Sequence, residues 1–214
     1  MDNPRSAPSS SRRDWLCALI LFALAVAVFW PATGYAFIDY DDPPFVQENS
    51  FVNTGLSWAN IRWAFTAVCE QWWLPLLWIS FMLDATLFGP GPFGFHLVNI
   101  LLHAANAALL YGVLRRLTGS RPQSLFLAAL FALHPLRVES VAWITARKDV
   151  LSGLIFMLAL LAYLHHAARP SRRRLAGVGL LMLAGVMTNA LLTTLPFLWV
   201  VLDDWPLRRA GAPL

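Results

Sequence analysis

Residues 85–114 read ATLFGPGPFGFHLVNILLHAANAALLYGVL, thirty consecutive positions without an Asp, Glu, Lys or Arg. A helix needs about 20 apolar residues to cross a bilayer core. Gly89-Pro90-Gly91-Pro92 is a turn, and the rest of the run is a crossing that starts just beyond it. Four more uncharged runs lie on either side: residues 15–38, 122–136, 150–168 and 175–202, of 24, 15, 19 and 28 residues. Across all 214 residues 58% are hydrophobic and 13% charged, and the mean hydropathy is +0.57. An ordinary soluble domain carries about 25% charged residues. A water-soluble globule and a disordered chain are both excluded, and the chain reads as an all-α polytopic membrane protein.

Residues 1–14 are rich in Ser, Pro and Arg and read as a disordered cytoplasmic tail, with a second short tail at 210–214. A competing reading makes the first run a signal peptide cleaved near Gly34-Tyr35-Ala36. The run exceeds the roughly 7–15 apolar residues of a signal core, which favours an uncleaved anchor. Cys17 inside that run and Cys69 in a loop predict no disulfide. With the N-terminal side cytoplasmic and helices alternating, 12 of the 16 cations fall inside and only Arg62, Arg137, Arg147 and Lys148 outside. Eight of the 12 acids then fall outside. The bias is that of a plasma-membrane protein with both termini cytoplasmic. Arg172, Arg173 and Arg174 before the last run and Arg208 and Arg209 after it make residues 175–202 a hairpin with a break near Thr188-Asn189. About six crossings result.

The external segment, residues 39–93, is long, acidic and aromatic. Ser57 can cap a helix on which Trp58, Ile61, Phe65 and Val68 form one apolar stripe. Trp72, Trp73, Leu74, Leu76, Leu77, Trp78, Phe81 and Leu83 follow, with Pro75 near a helix start. Both pieces read as amphipathic helices lying on the outer membrane face.

Four groups of residues carry the candidate chemistry. Asp39, Asp41 and Asp42 follow the first span; crowded carboxylates suit a general base or a divalent cation, and equally form a solvated acidic turn. His96, Asn99, His103 and Asn106 share one face of the second span, where polar groups either join helices or serve a site; carboxylate or cysteine partners for a metal are missing there. His134, Arg137 and Glu139, then Arg147, Lys148 and Asp149, form the one external cluster of cations. It is either a phosphate site or an ion-pair network that orders the loop. Asp203-Asp204 at the cytoplasmic side reads as a helix end. The formal charge of +4 is scattered around helix ends, which argues against a nucleic-acid partner.

The order of these motifs resembles a known family. It runs from Phe37-Ile38-Asp39-Tyr40-Asp41-Asp42-Pro43 to Trp73-Leu74-Pro75-Leu76-Leu77-Trp78, then to Gly94-Phe95-His96-Leu97-Val98-Asn99 and Leu101-Leu102-His103. Ala132-Leu133-His134-Pro135, Val138-Glu139-Ser140-Val141-Ala142-Trp143, Arg147-Lys148-Asp149-Val150-Leu151-Ser152 and Leu202-Asp203-Asp204-Trp205-Pro206-Leu207 complete it. It is similar to the membrane half of bacterial tetratricopeptide-repeat membrane proteins. These are similar in turn to eukaryotic O-mannosyltransferases and to the GT-C class of glycosyltransferases.

The resemblance implies a GT-C-like transmembrane domain over residues 15–209 with surface helices in the external loop. It implies transfer of a sugar, with inversion, from a lipid-linked (polyprenyl-phosphate) donor to an acceptor hydroxyl outside the cytoplasm. Asp41 and Asp42 match the acidic catalytic motif, Arg147 and Lys148 would hold the donor phosphate, and Asp39, His134, Glu139, His96 and His103 are accessory. No cofactor follows beyond a divalent cation at Asp41 and Asp42, and the acceptor is not named by the sequence. The pattern departs at Asn189-Ala190, where the family carries Lys-Pro. Family members continue beyond the position of Leu214 with further spans and repeats, so the chain is expected to be incomplete. A non-catalytic membrane scaffold is the competing reading. A transporter is disfavoured, because the acids lie at helix ends rather than mid-span.

Overall fold

The computed structural model describes residues 11–68, 72–205 and 207. Of the disordered tail expected at residues 1–14, residues 1–10 lie outside them, while Arg12, Arg13 and Asp14 form the first turn of a helix capped by Ser11; the tail at 210–214 and the placement of Cys69 also lie outside. Ten α-helices follow one another: α1 Arg12–Phe29, α2 Ser50–Asn53, α3 Trp58–Thr66, α4 Pro75–Phe88, α5 Pro92–Thr118, α6 Arg121–Leu133, α7 Arg137–Ala142, α8 Arg147–Ala168, α9 Arg172–Val186 and α10 Leu195–Asp204. The starts are written in the sequence. Ser11 and Asp14 form a capping box on α1, Ser57 accepts from the Asn60 amide to cap α3, and Ser171 accepts from Arg174 to cap α9. Proline opens α4, α5 and α10, where a missing N–H costs nothing. Gly119, at φ +68°, closes α5 in the left-handed conformation.

Three helices are long and apolar enough to cross a membrane: Arg12–Gly34, Pro92–Thr118 and Arg147–Ala168. The six crossings expected from the sequence are not matched by six helices of that length. α6, α9 and α10 have 13, 15 and 10 residues, or about 20, 22 and 15 Å, short of a core of about 30 Å. The run 175–202 is divided between α9 and α10, with the chain turning at 187–189. Leu19, Ile20, Leu24 and Val28 on α1, Phe126 and Leu130 on α6, and Phe197 and Val200 on α10 point outward. Lipid covers such a belt in a membrane protein.

α5 is the axis of the bundle. α1 packs antiparallel along it, from Leu21 against Tyr111 up to Phe29 against His103. α8 runs parallel to it, because the Arg147 side chain meets Asn99 near the start of α5 while Met157 and Leu160 meet Val113 near its end. A chain joining two parallel helices must return between them. α6 makes the first half of that return and reaches the level of His103. α7 and the turn after it make the second half, with Val141 against Phe29 and Ile100. This shared return explains why α6 is short. Ala25, Ala104, Ala107 and Ala132 let α1, α5 and α6 approach closely.

The polar stripe of α5 joins this return to the axis. Asn99 donates to the carbonyls of Trp143 and Ile144, Asn106 donates to that of Val150, and His103 Nε2 lies 2.9 Å from that of Ala132. At the opposite end, Asp14 accepts from Tyr111, Arg115 and Arg121 and so gathers the ends of α1, α5 and α6.

The external segment is a small aromatic unit. Phe45 stacks on Trp78 at 5.0 Å, Phe51 on Trp63 at 4.6 Å, and Phe81 and Phe37 reach Phe95 of α5. The second surface helix expected from the sequence is not on the surface. Leu77, Trp78, Phe81 and Met82 of α4 form the core of this unit, because a helix apolar on all sides must be buried. On α3, Asn60 and Ala64 face the unit, Ile61 is half-buried, and Trp58 (82% exposed) and Phe65 face away from it; Val68, exposed, lies beyond the helix end.

Gly94 and Gly112 test the packing of α5 with opposite signs. A Cβ on Gly94 would lie 2.4 Å from the Phe88 Cβ, so Gly94→Ala is expected to destabilise by about 1–3 kcal/mol. Nothing lies within 4 Å of a Cβ on Gly112, so Gly112→Ala should gain about 0.5–1 kcal/mol. Thermal unfolding in detergent checks both, and equal effects would contradict the packing.

Candidate functional site

The C-terminal end of α1 and the N-terminal ends of α5 and α8 meet around two charged side chains, Asp42 and Arg147. Arg147 opens α8 and is completely buried. Its Nε donates to Asn99 Oδ1 at 2.5 Å, one Nη donates to Asp84 of α4 and the other to the Phe95 carbonyl at 2.6 Å. The Phe81 ring lies against its guanidinium, at 4.9 Å. Burial pushes the Asp84 carboxyl up to about 6, against the pull of Arg147. Arg147 therefore does not reach the outer surface. Three of the five guanidinium N–H groups hold α4, α5 and α8 together, and the side chain is enclosed on all sides. Lys148, the next residue, is exposed.

Asp42 is equally committed. It is fully buried, and its two oxygens accept from the amides of Ile38 at 2.8 Å and Thr145 at 3.2 Å. One carboxylate thus closes its own loop and ties that loop to the turn before α8. Each oxygen thus has one of its two acceptor sites filled by a backbone amide. No group of three or more His, Cys, Asp or Glu side chains among the described residues is placed to hold a metal. Asp41 is half-buried and Asp39 exposed, and neither side chain has a hydrogen-bond or ion-pair partner among the described residues. Tyr40 packs on Trp143 at 5.9 Å.

Between the two loops that Asp42 joins lies a cavity of about 260 Å³, lined by Tyr35, Ala36, Ile38, Val138, Glu139, Ala142 and Trp143. Glu139 is the carboxylate in its wall, and its side chain is exposed. His96 is buried beside Tyr35 (ring centroids 6.3 Å apart), within electrostatic reach of Asp42, and faces the backbone of Tyr35, Ala36 and Ala142, with no hydrogen bond of ordinary geometry to either ring nitrogen. Trp143 Nε1 and Thr145 Oγ1 are also buried without partners. Unpartnered groups concentrated around one buried carboxylate mark a place where a polar ligand or ordered water completes the bonding.

Of the expected site residues Glu139 lines the cavity, while Asp42 bonds the amide of the lining residue Ile38 and His96 packs on the lining residue Tyr35. The structure separates His103, which lies deep in the bundle between Phe29 and Phe131, and His134, which lines a second hollow on the outside of α6. The sequence analysis missed the pairing of Asp84 with Arg147. The signal was present: Asp84 is the one acid in the apolar α4, and such a group demands a cation.

Among the described residues, three helices long and apolar enough to cross a membrane define an integral-membrane helical domain. Its relatives are glycosyltransferases by name. The chain is 35% identical over 165 residues to protein O-mannosyl-transferase Tmtc2 of Drosophila melanogaster, covering 73% of this chain and 17% of that protein. It is 32% identical over 160 residues to protein O-mannosyl-transferase tmtc2 of Xenopus laevis, covering 72% and 19%. Over 170 residues it is 32% identical to protein O-mannosyl-transferase Tmtc1 of Drosophila melanogaster, covering 76% and 20%. The chain spans about a fifth of the length of these curated relatives. No protein-family model and no solved structure matches it.

If Asp42 anchors the loop, Asp42→Asn removes one of two buried acceptors. It should cost about 1–3 kcal/mol and expose residues 39–47 to protease. Unchanged thermal midpoint and unchanged proteolysis would contradict the anchoring role.

Proposed function

We propose that this chain is the catalytic membrane portion of a glycosyltransferase that moves a hexosyl unit, mannosyl by its relatives' names, onto an acceptor hydroxyl at the external face. The donor is a polyprenyl-phosphate sugar. The acceptor oxygen gives its proton to a carboxylate and attacks the anomeric carbon. The bond from that carbon to the phosphate oxygen breaks, with inversion, and polyprenyl phosphate leaves. The topology is that of a bacterial plasma-membrane protein with both ends of this chain cytoplasmic. α6 with α7 makes one further crossing, and α9 and α10 are the two arms of a hairpin, which completes the six. The meeting of Asp14, Arg115 and Arg121 at one end supports that orientation.

The observation that carries the reading is the tie from Asp42 to the Ile38 and Thr145 amides, which holds the acidic turn beside a cavity whose wall includes Glu139. Asp41 is the general base in this reading, Glu139 orients the acceptor or the sugar, and Asp42 positions the loop. Lys148 is the residue of the expected cation pair that remains exposed toward the departing phosphate. The exposed stripe of α3 lies on the outer leaflet, with Trp58 at headgroup level.

The test uses the full-length protein and a polyprenyl-phosphate mannose donor. Asp41→Asn is expected to lose about 10²–10⁴ in transfer rate while donor binding persists. Wild-type turnover by the double variant Asp41→Asn, Glu139→Gln would reject the mechanism and leave a non-catalytic scaffold.

A further inference from the structure

Three of the four side chains in the polar stripe of α5 bond a backbone carbonyl of a neighbouring element. Asn99 bonds those of Trp143 and Ile144, His103 that of Ala132 and Asn106 that of Val150. His96 is the fourth. It is 1% exposed, and neither of its ring nitrogens has a hydrogen bond of ordinary geometry. Its ring stands nearly perpendicular to that of Tyr35 and faces the backbone of Tyr35, Ala36 and Ala142. An imidazole always carries at least one N–H, and the acceptors that a peptide backbone offers it are carbonyl oxygens. A buried donor left without one is costly, so this gap in an otherwise completed stripe calls for a physical reason.

The place of His96 supplies the reason. Tyr35, Ala36 and Ala142 are three of the seven residues that line the acidic cavity. The first two belong to the wall that follows α1, and the third ends α7, which makes the opposite wall. His96 therefore stands behind both walls, on a helix that belongs to neither. Asp42 joins the same two stretches of chain through the Ile38 and Thr145 amides, and it lies within electrostatic reach of His96. We propose that His96 is the positioning residue of this cavity: its ring N–H bonds a wall carbonyl when a ligand draws the walls in, and so fixes their spacing around that ligand. The inference rests on the glycosyltransferase reading above for the ligand, a hexosyl unit. His96 does not line the cavity, so it acts through the walls and not on the reacting atoms. Glu139 lies three residues before Ala142 in α7 and is carried by the wall that His96 would hold. The competing role is that of a ring that only fills space against Tyr35, and the two roles part when the nitrogens are removed and the ring is kept.

The experiment uses the full-length protein in lipid nanodiscs, with its own cysteines replaced and spin labels at Ile38→Cys and Val138→Cys. These positions lie on opposite walls, and both side chains are exposed. Electron paramagnetic resonance reads the label spacing with and without polyprenyl-phosphate mannose, and transfer is measured on the unlabelled protein. In wild type the spacing is expected to narrow on adding the donor. His96→Phe should abolish the narrowing and lose on the order of 10²-fold in kcat, with little change in KM. His96→Asn and His96→Gln place an amide N–H near the positions of Nδ1 and Nε2. One of the two should restore both readouts, and it identifies the nitrogen that bonds the wall. A thermal midpoint of His96→Phe equal to that of wild type separates a lost bond from a lost fold. If His96→Phe does not fold, the Asn and Gln variants decide, and equal loss in both overturns the proposal. Wild-type narrowing and turnover in His96→Phe would make His96 a packing residue and overturn it as well. Absence of narrowing in wild type while transfer proceeds would overturn the positioning role and leave the transferase reading standing. Narrowing in wild type that His96→Phe abolishes, without transfer by either protein, would keep the positioning role and remove the transferase reading.

Discussion

Arg147 is buried where charge is most expensive, and the arrangement of the external half follows from how that charge is satisfied. A guanidinium taken out of water costs several kcal/mol unless it is paired and hydrogen-bonded. Here the partners come from three different elements: Asp84 from α4, and Asn99 and the Phe95 carbonyl from α5, all meeting a residue that opens α8. The aromatic external unit is thereby fixed to the two parallel helices. Asp42 adds the first loop through the Thr145 amide, two residues before Arg147. Fold and site share one set of contacts, because the cavity lies between the loops these two side chains hold in place.

The other end uses the same device with the sign reversed. Asp14 gathers Tyr111, Arg115 and Arg121 and fixes where α1, α5 and α6 begin or end. Between these two polar clusters the packing is apolar and small-residue, and the stripe of α5 supplies hydrogen bonds to backbone carbonyls. Bonds of this kind in membrane bundles contribute modestly in energy but set register. The chain therefore holds its helices by polar contacts at both ends and by close packing between.

Much of this was legible in the sequence, because apolar run length and capping residues act locally. Ser11, Ser57, Pro92 and Gly119 mark helix ends whatever the rest of the chain does. The division of the last run at 187–189 could also be read, from cations at both of its ends. Three features were not legible, each for a long-range reason. α6 is short because the return between parallel helices is shared with α7, a constraint that appears only once α5 and α8 are known to be parallel. α4 is buried because aromatic residues 30 or more positions away, such as Phe45, close over it. Arg147 broke the charge rule for external loops and invited a reading as a ligand-binding cation. The structure shows instead that it satisfies an acid 63 residues earlier, and Asp42 is likewise buried and bonded to two backbone amides.

The central claim is that Arg147 and Asp84 are a structural pair. A double-mutant cycle in the folded, detergent-solubilised protein tests it most directly, with Asp84→Leu, Arg147→Met and the combined variant compared by unfolding free energy. Each single change strands a buried charge and should cost about 3–5 kcal/mol. The combined variant should be more stable than either single one, with a coupling energy above about 1 kcal/mol. Additive losses, with Arg147→Met alone folding as well as wild type, would contradict the account and return Arg147 to the list of residues that meet a ligand.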